Sequence, residues 1–140
     1  MAEFVMKKLV RQAGREGEFE IASAATSREE IGNDIYPPAK RCLSAHGIPY
    51  EKHAARQILP KDVLYYDYII AMEAYNLGNL RRLLGSIYRQ HESKFSLLMD
   101  YTARPGDVAD PWYSGDFETA FRDISEGCRG LLSSVAGGKA

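Results

Sequence analysis

The sequence predicts an α/β fold of doubly wound, Rossmann-type layers, with a parallel sheet between helices, and three observations carry that prediction. Tyr68, Ile69, Ile70, Ala71 and Met72 form a short run that is apolar throughout, and residues 95–99 form another strand-like run, as expected where a parallel sheet is covered on both faces. Phe117, Phe121, Ile124, Cys128, Leu131 and Val135 recur every three or four residues, the spacing of one helix face. Strand-like and helix-like segments alternate along the rest of the chain, which is the pattern of a layered α/β domain.

Residues 2–13 place Phe4, Val5, Leu9 and Val10 on one helical face opposite Lys7, Lys8 and Arg11, and Gly14 offers a cap at the end. Phe19, Ile21 and Ser23 alternate with Glu18, Glu20 and Ala22, so this segment predicts a strand buried on one face. Gly32, Asn33, Pro37 and Pro38 mark a loop whose prolines suit the first turn of a helix over 38–46. Cys42, Leu43 and His46 share a face of that helix, and Gly47 stops it. Residues 53–58 predict a short strand, and Pro60 opens a brief helical segment to Leu64. After the 68–72 strand a helix covers 73–84 and ends at Gly85. One domain is expected over 1–136, with a loose tail at 137–140.

With 140 residues, 45% of them apolar and 26% charged, the chain can fill one core but not two. Its 18 basic and 19 acidic side chains give no field that would hold a polyanion, so nucleic acid is not an expected partner. No apolar run reaches membrane-spanning length and no hydrophobic signal opens the chain, so a membrane partner is not expected and the cytosol is the expected location. Cys42 and Cys128 lie inside helical patterns and read as reduced, packed thiols. His46, His53 and His91 lack neighbouring carboxylates at zinc-site spacings, so no metal is expected.

Ligands of open α/β sheets bind where loops converge at the carboxyl ends of the strands. The loop after the 95–99 strand carries Asp107, Asp110, Pro111, Trp112 and Tyr113. Taken alone, Asp-Pro is a turn starter. Its surroundings change its meaning. The opening Met1-Ala2-Glu3, the stretch Ser23-Ala24-Ala25-Thr26-Ser27, His53 with Ala55-Arg56-Gln57, the segment from Asp67 to Glu73 with Asn76-Leu77, and Asp110-Pro111-Trp112-Tyr113 together resemble the low-molecular-weight protein tyrosine phosphatases, over essentially the whole chain.

That resemblance implies hydrolysis of protein tyrosine phosphate through a cysteinyl-phosphate intermediate, with no cofactor. It makes Asp110 the general acid and then base, and it places Trp112 and Tyr113 at the mouth of the site. It puts Ser23 and His53 beneath the phosphate loop as its supports, and Glu29 where many relatives carry an aromatic side wall. In the resembling enzymes a strand and a Cys-x5-Arg-Ser-Pro loop precede the Met-Ala-Glu helix. Here position 48, six after Cys42, is isoleucine, and position 134, six after Cys128, is serine, so neither thiol fits that loop.

The expectation is therefore an internal Met1, an absent nucleophile and phosphate-binding arginine, and an inactive chain unless the upstream segment is restored to meet a phosphotyrosine protein or small aryl phosphate. The absent strand would be the first and inner one of a sheet ordered 2-1-3-4. Its loss predicts repair of the sheet through a homodimer or strand exchange, or closure of strands two and three. Two alternatives stand beside this reading. One is a noncatalytic phosphatase-like binding protein. The other is an arsenate reductase on the same fold, which would need further cysteines near residues 67–84, where there are none.

Overall fold

The computed structural model describes residues 1–26, 32–111 and 115–137; Glu29, Trp112, Tyr113 and the tail residues 138–140 lie outside that set. The first helix, α1 (Ala2–Gln12), buries Phe4, Val5, Met6 and Val10. Gly14, at φ +71°, lets the chain turn back so that Arg15 N–H bonds Val10 C=O at 3.0 Å, which closes the helix end. Helix α2 (Pro37–Ala45) starts on its two prolines, buries Cys42 and Leu43, and ends at Gly47 with φ +67°. Helix α3 (Pro60–Tyr65) again opens on proline. Asp62 accepts the Leu59 N–H at 2.7 Å and so caps its first turn.

Strand β1 (Ile69–Ala71) pairs in parallel with β2 (Phe95–Leu97), with Ile69 opposite Phe95. Between them run α4 (Ala74–Leu84), capped at its end by Gly85, and a short α5 (Ser86–Gln90) that the sequence pattern did not suggest. The final helix, α6 (Phe117–Gly137), packs along α1 and reaches one residue into the expected tail. The helices take both faces of the sheet, as a doubly wound fold requires. Ile70 and Met72 pack with α1 and α6 around Leu43, Leu98, Met99, Ile124 and Cys128, while Ile69 and Phe95 pack with Val63, Leu80, Leu84 and Tyr88 on the other side.

Three strand predictions need correction. Residues 19–22 keep the expected alternation, with Phe19 and Ile21 half-buried and Glu18, Glu20 and Ala22 exposed, but Ser23 is exposed where it was expected on the buried face, and the segment forms no ladder. Residues 53–58 contribute a single parallel bridge, Ala25 to Gln57. The fourth strand ends at Leu97, because Asp100 accepts the Leu97 N–H at 2.9 Å and winds 98–101 into a 3₁₀ turn that buries Leu98 and Met99. Residues 19–23 want a neighbour, since an extended segment becomes a strand only when another backbone supplies its partners, whereas 53–58 bonds Ala25, Gly32 and Asn33 through Ala55, Arg56 and Ile58 without extending into a ladder. Among the described residues the sheet has the order β1-β2 alone, and the 19–25 segment does not close against β1. The same openness leaves Ile69 and Ile70 half-buried where full cover was expected.

Candidate active site at the carboxyl ends of the strands

Beyond β1, the loop that carries Asp110 is fastened at three consecutive residues. Asp107 accepts the Ala74 N–H at 2.8 Å, at the start of α4. Val108 N–H donates to Met72 C=O at 2.9 Å, which lays the loop across the carboxyl end of β1. Ala109 N–H donates to the buried carboxylate of Asp123 at 3.0 Å. Asp123, from α6, also accepts from Arg104 at 3.0 Å, and Arg104 reaches Glu126 at 2.7 Å. Asp110 thus follows a pinned segment and stands half-buried, before a proline that restricts the next φ. Burial, and after it the negative charges of Asp110 and Asp107, raise the carboxyl pKa of Glu73, the residue preceding α4. Asp110 and Glu73 therefore share one electrostatic neighbourhood at the end of the sheet.

A second hydrogen-bonded group forms on the first turn of α1. Ser23 Oγ donates to Glu3 Oε1 at 2.6 Å, and His53 Nε2 lies 2.8 Å from Ser23 Oγ and 3.1 Å from the same Glu3 oxygen. Since the single Ser23 proton is used on Glu3, the pair is satisfied when Nε2 carries the imidazole proton. Lys7 closes on the other Glu3 oxygen at 2.6 Å. Burial alone would raise the Glu3 carboxyl, but the bonds from Lys7 and Ser23 hold it below its ordinary range. The His53 segment is anchored in turn, because its backbone N–H donates to Asp34 Oδ1 at 2.8 Å while Lys40 bonds the other Asp34 oxygen at 2.6 Å.

The two thiols are far from nucleophilic conditions. Cys42 and Cys128 are 5% and 1% exposed. Burial raises the Cys42 pKa and pushes that of Cys128 up to about 12. Both stand inside helices rather than at helix starts, where partial positive charge would favour the thiolate.

Of the residues singled out in the sequence, Ser23 and His53 meet directly, and Asp110 stands on a separate loop beyond β1. Glu3 as the hub of the Ser23 and His53 group with Asp34 behind it, and Glu73 and Asp123 around the Asp110 loop, were missed. Asp123 had a signal: it lies between Ala120 and Ile124 on the buried face of a periodic helix, where a carboxylate needs partners. Of the three histidines expected to lack neighbouring carboxylates, His53 meets Glu3 and His46 meets a residue distant in the chain. Glu118, 72 positions later, comes within 2.6 Å of His46 Nε2, and Cys42 lies beside both.

Residues 1–139 match the family described as low molecular weight phosphotyrosine protein phosphatase. The low molecular weight protein-tyrosine-phosphatase YfkJ of Bacillus subtilis is 36% identical over 137 residues, covering 96% of this chain and 86% of its own. The human low molecular weight phosphotyrosine protein phosphatase is 36% identical over 138 residues with the same coverage. The crystal structure of YfkJ superposes with a TM-score of 0.91 at 35% identity, covering 99% of this chain and 87% of that one. A low molecular weight protein tyrosine phosphatase from Streptococcus pyogenes superposes with a TM-score of 0.82 at 36% identity, covering 94% and 81%. The chain belongs to the low molecular weight phosphotyrosine protein phosphatase family, whose members are hydrolases with an α/β fold. Among the described residues no helix is long and apolar enough to cross a membrane.

Proposed function

We propose that this chain carries the acid half of a protein tyrosine phosphatase site. In that reading Asp110 protonates the departing tyrosine oxygen and then deprotonates the water that hydrolyses a cysteinyl phosphate. Trp112 and Tyr113 flank the substrate ring, Glu29 lies on the wall, and Ser23 with His53 supports the phosphate-binding loop. The observation that carries it is the pairing of Ser23 with His53 on Glu3, beside the start of α1. A helix start presents unpaired N–H groups, which suit an anion.

The cysteine and the arginine of that chemistry are not among these 140 residues. Cys42 and Cys128 are buried with raised pKa values and cannot replace the cysteine. The 140-residue polypeptide is therefore inactive by itself and acts on phosphotyrosine proteins or aryl phosphates only with a Cys-x5-Arg loop before Met1. Its working location in this reading is the cytosol. The edges beside 19–23 and β1 accept either that preceding strand or a second copy, so without the strand the chain dimerises; sedimentation equilibrium showing a monomer at all concentrations would refute that part.

The experiment compares phosphotyrosine hydrolysis by the 140-residue polypeptide with hydrolysis by the same chain carrying a family Cys-x5-Arg segment. Turnover is expected only in the second. There, Asp110→Ala should lower kcat by about 10² or more for aryl phosphates with poor leaving groups and much less for good ones. Equal losses for both would remove Asp110 from the acid role, and full activity of the 140-residue polypeptide would end the reading.

A further inference from the structure

On the face formed by α2 and α6, apart from the Glu3, Ser23 and His53 group, three side chains of different chemistry converge. Cys42 lies in the last turn of α2, His46 caps the end of that helix four residues on, and Glu118 comes from the first turn of α6. Their Sγ, ring nitrogen and carboxylate oxygen all lie within 4.8 Å of one another. His46 Nε2 and Glu118 Oε2 are 2.6 Å apart. The imidazole is stacked on Phe121, with ring centroids 3.9 Å apart and planes 13° from parallel, which fixes its plane and leaves the Nε2 edge toward the carboxylate.

We propose that Cys42, His46 and Glu118 bind a zinc ion with three protein ligands and a water in the fourth position, tying the end of α2 to the start of α6. Zinc takes thiolate, imidazole and carboxylate in tetrahedral sites, with bonds of about 2.0–2.3 Å. Ligand atoms on such an ion sit roughly 3.3–3.8 Å from one another, so the His46 to Glu118 contact opens by about an ångström and the sulfur closes inward. Glu118, with its side chain 65% exposed, can make that movement by changing rotamer. A cavity of about 450 Å³ lined by His46, Glu118 and Phe121 gives the ion an entrance.

Binding is written as Zn²⁺ plus the Cys42 thiol giving a zinc thiolate and one released proton. The thiolate and carboxylate then balance the two charges of the ion. Arg122 and Arg129 line the same cavity and offset part of this attraction. Competing hard cations such as magnesium are disfavoured, because they prefer six oxygen ligands. The cluster joins two elements on either side of the Asp110 loop, since α6 begins seven residues after Asp110. Occupancy therefore fixes the first turn of α6.

The test titrates Co²⁺ into the reduced 140-residue protein and then displaces it with Zn²⁺. One equivalent of cobalt should give a thiolate-to-cobalt charge-transfer band with tetrahedral visible bands, and zinc should erase both. Zinc at 100 times its Kd should raise Tm by roughly 5–10 °C. Cys42→Ser should abolish the charge-transfer band, while His46→Gln and Glu118→Gln should each weaken cobalt at least about tenfold. If Cys42→Ser fails to fold by circular dichroism, the two exposed-site variants carry the test. The proposal is overturned by the absence of a charge-transfer band, by a band that disappears in Cys128→Ser and survives Cys42→Ser, or by affinity unchanged in both His46→Gln and Glu118→Gln.

Discussion

Replacing Asp123 by alanine removes a side chain that fastens the Asp110 loop to α6. Asp123 is 4% exposed and accepts the Ala109 N–H at 3.0 Å. Without it that donor, half-buried beside Val108, has no acceptor, which costs about 1–3 kcal/mol. Arg104, half exposed, keeps its bond to Glu126 and adds little to the loss. A domain of this size holds only about 5–15 kcal/mol in total. With a urea slope of about 1–3 kcal/mol/M, the midpoint should fall by roughly 1 M. In the chain carrying a Cys-x5-Arg loop the same change should lower kcat selectively for poor leaving groups, because the loop that places Asp110 is slackened rather than the acid removed. Asp123→Asn, which keeps an acceptor oxygen for Ala109, should recover most of the stability. A midpoint for Asp123→Ala within about 0.2 M of the parent, with no change in leaving-group dependence, would refute the loop argument.

Gly130→Ala should destabilise the protein, although alanine is the better helix former by about 1 kcal/mol. A Cβ there would overlap the Tyr101 carbonyl oxygen, a backbone atom that cannot step aside, so a net loss of about 2 kcal/mol or more is expected by urea denaturation. Gly127→Ala meets only the Leu98 side chain, which can rotate, and should cost less; a gain in stability at Gly130 would contradict the packing. Acid should also weaken the fold through Asp62. Burial would raise its carboxyl, but the paired bonds from Arg56 and the Leu59 N–H hold it below the ordinary range. A lowered carboxyl pKa contributes stability above the unfolded value of about 3.9, and that contribution is lost as pH falls through the folded value. Asp62→Asn should therefore flatten the decline of the urea midpoint between about pH 5 and 2, and an unaltered slope would count against the pairing.

The helices were legible wherever the chain itself carries the information. A 3.6-residue stripe marks α1 and α6, prolines at the first turn open α2, and a glycine just past the end closes α1 and α2, all without reference to distant residues. The short α5 was not, because five residues after Gly85 show no full period. The segment 19–23 reads as a strand and alternates as one as far as Ala22, yet has no ladder, since pairing belongs to two backbones and alternation to one. In the candidate site, Asp110 was singled out by the resemblance that Asp110-Pro111-Trp112-Tyr113 carries, since Asp-Pro alone reads as a turn. The group of Glu3, Ser23 and His53 could not be assembled from any local rule, because it spans 50 positions.

By itself, the sequence determined the layered α/β class, the ends of α1, α2 and α4 to within a residue, the loop that carries Asp110 and the absence of a Cys-x5-Arg loop among these residues. Only the tertiary structure decided which carboxylates hold the Asp110 loop, what His46 faces and how far each strand runs. Periodicity and capping act within a few residues of chain, whereas hydrogen bonds and ion pairs between loops act through space at about 3 Å, a separation that sequence distance does not encode.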